Sequence, residues 1–171
     1  MRLRAAPAEL GPAGQSRRLT MVGLGYDSHR FAPGRRLVLG GVEIEHDQGL
    51  EGHSDADVLT HAIIDALLGA AGNGGDIGTM FPDDDPRWQG ADSIDMLRTV
   101  VGTVAGPIVN VDATVICEQP RLGEYKAEME RILGEATSAR VSVKATSNEG
   151  MGWIGRGEGI ACIAVAQVEV E

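Results

Sequence analysis

The chain has 171 residues, and its 15 Lys plus Arg against 25 Asp plus Glu give a formal net charge of −10. One domain of this length can bury a core without disulfide bonds, so a second full domain is not expected. The negative charge argues against binding to nucleic-acid phosphates or to anionic membrane surfaces. The composition, 43% hydrophobic and 23% charged, is that of a globular protein. No apolar run approaches the roughly 20 residues that cross a bilayer.

The cysteines and the N-terminal segment bear on the compartment and on the domain boundaries. Cys117 and Cys162 form neither a disulfide framework nor a C-x-x-C pair, which favours a reducing, cytoplasmic compartment. Residues 1–20 are rich in Ala, Pro, Gly and Arg, show no periodicity and lack the apolar region of a signal peptide. We therefore predict a disordered N-terminal extension over 1–20 and one domain over 21–171.

From Met21 onward the hydrophobic pattern predicts strands that alternate with three helices. The second helix is expected to open at Asp92 and to end before Pro107. In chain order the predicted elements are strands over 22–31 and 37–45, a helix over 57–70, a helix over about 92–104, a strand over 108–118, a helix with apolar positions from 122 to 133, and strands over 141–146 and 160–170. This order predicts a single layered α/β (α+β) domain whose sheet packs on about three helices.

Three side chains on the first strand and the first helix are candidate metal ligands. Asp27 and His29 are two residues apart, so they project from one face of a strand, although such a pair is more often a surface hydrogen bond. His61 lies on the helix with Asp57 and Asp65 one turn to either side, and one of these acids is expected to hold its tautomer. The alternative is a core histidine paired with a neighbouring acid. Together Asp27, His29 and His61 would form the N, N, O set with an open position that is typical of catalytic zinc.

The segments on either side of the first helix carry further polar groups. Ser54 or Asp55 is expected to cap the helix and leave N–H groups for an anion; a simple cap would not account for His53. The loop over 72–86 either is solvated by its acidic residues or uses them to bind substrate hydroxyls or a metal, and spacing does not decide between these. The acidic residues are Asp76, Asp83, Asp84 and Asp85.

The glycine-rich segment over 144–161 combines backbone freedom with charge. Its glycines permit close approach of the backbone to a ligand. Glu149 is a candidate ligand for a second cation, Arg156 for a phosphate clamp, and Trp153 for an apolar wall. A glycine-rich hairpin would explain the glycines equally well, but not the charged residues among them. No Walker or Rossmann fingerprint is present.

Several ordered motifs from Met21 to the C-terminus resemble one family. They are G-Y-D-S-H-R-F, H-S-D-A-D-V-x-x-H, D-A-L-L-G-A-A, G-D-I-G-x-x-F-P-D and K-A-T-x-x-E-x-x-G-W-x-G-R-G-E-G-I-A. The family is 2-C-methyl-D-erythritol 2,4-cyclodiphosphate synthase, a lyase of the non-mevalonate isoprenoid pathway. Several multi-residue motifs in one order are far more specific than any one of them.

The resemblance implies a homotrimer whose sites lie between neighbouring subunits. It places a catalytic zinc on Asp27, His29 and His61, and a magnesium or manganese ion on Glu149. His53 and Ser147 would stabilise the transition state, and Arg156 and Glu158 would lie near the threefold axis. The residues it assigns to substrate are His53, Ser54, Asp76, Gly78, Asp83, Arg121, Ala145, Thr146, Ser147, Trp153 and Arg156.

The reaction that the resemblance implies closes a cyclic diphosphate on 4-diphosphocytidyl-2-C-methyl-D-erythritol 2-phosphate and releases CMP. Metals would neutralise the two anions that must meet, so no protein nucleophile is required. The chain departs from the family at Ser147, which replaces a threonine, at Gly150, which replaces a lysine, and at Arg121, where lysine is common. Two alternatives use the same features: hydrolysis of a phosphoester by metal-activated water, and non-enzymatic binding of isoprenoid diphosphates at the trimer axis through Arg156.

Overall fold

The computed structural model describes residues 19–72 and 74–170, arranged as a mixed α/β domain. The strands are β1 (Leu19–Pro33), β2 (Leu37–Leu39), β3 (Val42–Ile44), β4 (Gln48–Leu50), β5 (Ile108–Ile116), β6 (Arg140–Thr146) and β7 (Gly159–Val170). The α-helices are α1 (Val58–Ala71), α2 (Ile77–Met80), α3 (Ser93–Val101), α4 (Lys126–Thr137) and α5 (Gly152–Gly155), and a 3₁₀ turn spans Pro86–Trp88. The three longer helices are those predicted from periodicity.

The main sheet has the strand order β4-β1-β7-β5-β6. Its longest ladder joins β1 and β7 in antiparallel register, from Leu19 opposite Val170 to Arg30 opposite Gly159. Only β5 and β6 run parallel among the described pairs, and β2 and β3 form a separate hairpin. Along β7 the side chains of residues 162–168 alternate between buried and more exposed positions, so one sheet face packs under the helices. This arrangement confirms the predicted single layered domain.

Helix α1 lies unusually close to β1 because two glycines of the strand face it. A Cβ atom on Gly23 would lie 2.0 Å from the Ala66 carbonyl oxygen, and one on Gly25 would lie 1.9 Å from the Ala62 carbonyl oxygen. These distances exclude any side chain at either position. The next two residues on this face of β1 are Asp27 and His29, so the close approach carries both to the helix.

Asp57 caps α1, which corrects the predicted cap at Ser54 or Asp55. Its carboxylate accepts hydrogen bonds from Thr60 N at 3.0 Å and from Thr60 Oγ1 at 2.7 Å. It also accepts bonds from Gly40 N at 2.9 Å and from Gly41 N at 2.8 Å, in the turn between β2 and β3. Burial raises the pKa of Asp57, while the bonds from Thr60 and Gly40 oppose that rise. The sequence could not show this role because both glycine donors are distant along the chain.

Several boundaries differ from the predicted ones. Strand β1 begins at Leu19, two residues before the predicted domain start; the rest of the predicted extension, 1–18, lies outside the described residues. Helix α3 ends at Val101 rather than at about residue 104, because the backbone then changes to i→i−3 bonds at Thr103 and Val104. Helix α4 begins at Lys126, after a turn. Four short elements, β4, α2, α5 and the 3₁₀ turn, were not predicted, because three or four residues carry no periodicity.

No helix within the described part of the chain combines the length and the apolar character needed to cross a membrane.

We predict that Gly25→Ala destabilises the protein by about 3 kcal/mol or more, because its Cβ would overlap a backbone carbonyl that cannot move independently of α1. The free energy of unfolding in urea measures the effect. Gly123→Ala is the matched control, since nothing lies within 4 Å of its Cβ position, and a change of less than about 0.5 kcal/mol is expected. Equal stability of the two variants would contradict the close approach.

Candidate metal centre and substrate cavity

The structure brings Asp27, His29 and His61 together, and their donor atoms form a small triangle. Asp27 Oδ2 lies 2.9 Å from His29 Nε2 and 3.1 Å from His61 Nδ1, and the two nitrogens are 3.2 Å apart. Metal bonds of about 2.0–2.1 Å at tetrahedral angles would place ligand atoms about 3.3 Å apart. The donor set of two imidazoles and one carboxylate fits a divalent transition metal such as zinc.

Hydrogen bonds on the outer side of each ring favour a free lone pair on the inner side. His29 Nδ1 lies 2.6 Å from the carbonyl oxygen of Glu51, which can only accept, so Nδ1 donates and Nε2 is the nitrogen that faces the triangle and would bind a metal. The outer nitrogen of His61, Nε2, lies 3.1 Å from Ser54 Oγ and 2.9 Å from Ser93 Oγ. Both rings are therefore oriented from behind by fixed groups.

The electrostatics of the triangle favour a cation. Burial tends to raise the pKa of Asp27, but the neighbouring imidazoles of His29 and His61 outweigh it and hold that pKa well below its usual range. Burial tends to lower the pKa of His29, but the hydrogen bond and the charge of Asp27 outweigh it and raise that pKa. Asp27 is therefore a carboxylate at neutral pH, and the site attracts positive charge.

Neither carboxylate expected beside His61 hydrogen-bonds to its imidazole ring. Asp57 is occupied with the cap described above, and Asp65 accepts a hydrogen bond from Ile77 N at 2.8 Å. Helical spacing places both acids on the same side of α1 as His61. However, both carboxylates accept hydrogen bonds from backbone N–H groups outside the helix instead of hydrogen-bonding to the imidazole ring. The groups that do contact the ring, Ser54 and Ser93, come from the preceding loop and from the start of α3.

A cavity of about 230 Å³ opens from the metal triangle. Four residues assigned to substrate by the resemblance line it, namely His53, Ser54, Gly78 and Asp83. The sequence did not single out the remaining lining residues, Gly52, Ile77, Phe81, Trp88 and Met96. Phe81 and Trp88 pack edge to face, with 4.7 Å between their ring centroids. Because aromatic residues are rare in this chain, the presence of these two in the segment between α1 and α3 is the sequence signal that could have marked the cavity.

Asp76 does not line this cavity, contrary to the expected grouping with His53 and Asp83. Its carboxylate caps α2 by accepting from Thr79 N at 2.8 Å and from Thr79 Oγ1 at 2.7 Å. It lines a separate, largely apolar cavity beside Leu68. Asp85 is likewise a cap, bound to Arg87. Parts of the acidic loop therefore hold their own short helices.

A second cavity, of about 320 Å³, gathers another predicted group. Its lining includes the predicted Arg121, Ala145, Thr146 and Ser147, together with Cys117, Glu118, Gln119, Pro120 and Leu122. Glu149 stands beside it, since its Oε1 accepts from Ser147 Oγ at 2.8 Å. The Glu118 carboxylate accepts from the backbone N–H groups of Asn148 and Gly150 at 3.0 and 3.1 Å. This fixes the turn in which Glu149 has a φ of 52°.

A third cavity is lined by two further predicted residues, and the predicted Arg156 lies next to it. Trp153 and Glu158 line it with Ser28, His29 and Arg30. Arg156 Nε donates to Glu158 Oε1 at 2.6 Å, and both side chains are exposed. The pair is therefore positioned by a local contact on the surface of this chain.

The fold and the triangle define a mixed α/β protein with a candidate metal-binding triad whose side chains come from one strand and one helix. The YgbB family model matches residues 20–169, so the chain belongs to the YgbB family, as the motifs predicted.

The proteins that are similar to this chain include single enzymes and a bifunctional enzyme. A 2-C-methyl-D-erythritol 2,4-cyclodiphosphate synthase of Symbiobacterium thermophilum is 56% identical over 86% of this chain and 98% of its own. The solved bifunctional IspDF of Campylobacter jejuni has a TM-score of 0.86 at 36% identity, over 91% of this chain and 43% of that one. The CDP complex of Plasmodium falciparum IspF has a TM-score of 0.75 at 30% identity, over 89% and 97%.

We predict that His61→Ala removes the bound transition metal while leaving the fold intact, because two protein ligands bind the ion much more weakly than three. Metal content per chain, measured by inductively coupled plasma mass spectrometry after gel filtration, checks this. His46→Ala is the control, since that imidazole stacks on Phe31 outside the triangle. Wild-type metal content in His61→Ala would remove the residue from the site.

Proposed function

We propose that the protein converts 4-diphosphocytidyl-2-C-methyl-D-erythritol 2-phosphate into 2-C-methyl-D-erythritol 2,4-cyclodiphosphate with release of CMP. The observation that carries the proposal is the donor triangle of Asp27, His29 and His61 at a cavity lined by further family-motif residues. The family match and the names of the relatives support the same reaction. The enzyme is a lyase of isoprenoid biosynthesis, and its free, buried cysteines suit the cytoplasm.

The chemistry joins two phosphate groups of one substrate, so charge repulsion is the main barrier. When bound, zinc at the triangle and magnesium or manganese at Glu149 would neutralise the phosphates and keep the attacking and leaving oxygens in line. Asp27, His29 and His61 hold the first cation, and their outer hydrogen bonds fix the direction of each lone pair. Glu149 holds the second, in a turn fixed by Glu118.

The remaining residues bind and orient the substrate. His53 and Ser147 donate hydrogen bonds to phosphoryl oxygens and stabilise the charge of the transition state. Gly78 and Asp83 receive the methylerythritol unit inside the metal cavity, where Phe81 and Trp88 exclude water. Asp76 accepts from sugar hydroxyls, and Arg121, Ala145, Thr146, Ser147 and Trp153 form the nucleotide and diphosphate side. Burial raises the pKa of the Cys117 thiol to about 11, so Cys117 is not a thiolate nucleophile.

The uncovered face of the sheet supports assembly as a homotrimer. Leu24 is 68% exposed and Tyr26 is 55% exposed on β1, and Ile163 and Val165 are exposed on the adjacent β7. A contiguous apolar patch of this kind is typical of an interface. Three copies that turn this face inward bury it, with Arg156 and Glu158 near the axis.

Sharing of each site between subunits is supported by the separation of the two cavities. Across the sheet Asp27 pairs with Cys162, Cys162 with Val115, and Val115 with Ala145. Three strand spacings amount to about 14 Å. Cys162 and Val115 are buried in the core between these ends, so no open path joins the cavities directly across this row. A neighbouring subunit would bring its Ala145 end to the metal end of the first.

The departures from the family leave these roles in place. Ser147 retains a hydroxyl, which already contacts Glu149, and Arg121 retains the positive charge. Gly150 removes a lysine beside the phosphates, but its N–H binds Glu118 and so helps to fix the turn. We therefore expect weaker substrate affinity and an unchanged reaction.

Incubation of the pure protein with the diphosphocytidyl substrate and Mg²⁺ tests the function directly. We expect equimolar CMP and a cyclic diphosphate, identified by ³¹P NMR, and a loss of at least about 100-fold in rate after zinc is chelated. Restoring zinc to the chelated protein controls for damage. Linear phosphate products would indicate hydrolysis, and binding of isoprenoid diphosphates without turnover would indicate a sensor; either outcome would overturn the proposal.

Shared sites predict complementation between two inactive variants. His61→Ala and Glu149→Gln chains are unfolded, mixed equally and reassembled; about three quarters of the trimers are then mixed, and each has one junction with both halves intact. Activity should therefore return to about a quarter of wild type if sites act independently. Each variant reassembled alone is the control. If native mass spectrometry detects mixed trimers without activity, both halves lie in one subunit.

A further inference from the structure

Behind His61, on the side away from the metal triangle, lie a buried serine and a carboxylate in series. Ser93 Oγ is 2.9 Å from His61 Nε2 and donates a hydrogen bond to Asp55 Oδ1. Asp55 Oδ2 also accepts from Ser93 N at 3.0 Å, so the carboxylate binds the serine through both of its oxygens. Ser93 is fully buried, at 0% exposure.

The direction of the proton in this series is determined by its last member. The Ser93 hydroxyl donates to Asp55 Oδ1, so its proton points away from His61. The Ser93 oxygen then presents a lone pair to His61 Nε2, which must carry the proton. In the neutral imidazole Nδ1 then carries the lone pair, and it is the atom that faces Asp27 at 3.1 Å and His29 Nε2 at 3.2 Å.

Ser54 does not determine the tautomer in the same way. Its oxygen lies 3.1 Å from His61 Nε2 and accepts from Ala56 N at 3.2 Å, but the structure gives its own proton no carboxylate partner. Ser54 also lines the metal cavity, whereas Ser93 does not. The substrate can therefore reach Ser54, while Ser93 contacts only protein groups.

We infer that Ser93, held by Asp55, is a positioning residue that locks His61 in its Nε2–H tautomer and aims its Nδ1 lone pair at the metal. The inference deepens the proposed function and relies on its metal site. The serine is the first residue of α3, and Asp55 N donates to Ala91 O at 3.1 Å just before that helix. The start of α3 and the loop before α1 are thereby tied to one metal ligand.

Ser93→Ala tests the inference, because it removes the nearer of the two hydroxyl oxygens at His61 Nε2, the one held by Asp55, without adding volume. We expect zinc affinity, measured by competition with a chromophoric chelator on the full chain, to fall about 10- to 100-fold. In the metal-free protein, ¹⁵N spectra of the imidazole should show the Nε2–H form of His61 in wild type and a mixture of tautomers in the variant. Ser93→Thr retains the hydroxyl and should restore both readouts.

Thr137→Val is the matched control for loss of a buried hydroxyl. Thr137 Oγ1 donates to Leu133 O at 2.8 Å within α4, away from the metal. A comparable fall in melting temperature with unchanged zinc affinity is expected, because only packing and one hydrogen bond are affected. Zinc affinity that falls equally in Thr137→Val and Ser93→Ala would show a general structural effect and overturn the inference.

The zinc affinity of the wild-type protein separates failure of this inference from failure of the proposed function. If wild type binds zinc and Ser93→Ala binds it equally well with an unchanged tautomer, the positioning role is wrong and the metal site stands. If wild type does not bind zinc at the triangle, the metal site of the proposed function is wrong, and the positioning role is wrong with it.

Discussion

The contact between β1 and α1 is the constraint on which the rest of the structure depends. Gly23 and Gly25 let two helix carbonyls approach within 2.0 Å of where a Cβ atom would stand. Asp27 and His29 follow Gly25 on the same face of the strand and therefore lie beside the helix. His61, which directly precedes Ala62 on the helix, contacts both of them. The glycines thus set the distance between strand and helix, and that distance sets the size of the metal triangle.

Hydrogen bonds around α1 fix the start of the helix, the loop before it and the His29 ring separately. Asp57 joins the start of the helix to the β2–β3 turn, while Arg35 donates to the carbonyl oxygens of Gly52 and Ser54 and fixes the loop that carries His53. Glu51 orients His29 through its carbonyl. Loop residues can serve a site with this precision because elements of the core hold their backbone.

The function that emerges is distributed over the surface of the chain. The metal cavity lies at one end of a strand row, and the Arg121 to Glu149 side lies at the other. One chain keeps the two cavities apart with its own core, and it exposes an apolar face at Leu24 and Ile163 that the proposed trimer would bury. In the proposed trimer, folding would make two half-sites and assembly would join them.

Residue type and spacing made Asp27, His29 and His61 candidate ligands only, and the motif resemblance assigned them a metal. The sequence by itself determined the layered fold and the three long helices, because periodicity carries that information locally. It also determined the family, through motifs whose order spans the domain. Only the tertiary structure decided which acid supports which group: Asp57 turned out to be a cap, Asp65 binds Ile77, and Ser93 stands behind His61. Hydrogen bonds between distant segments depend on packing distances that the sequence does not show. Helical spacing alone therefore cannot decide whether an acid bonds to a neighbour on its own helix or to a donor from another element.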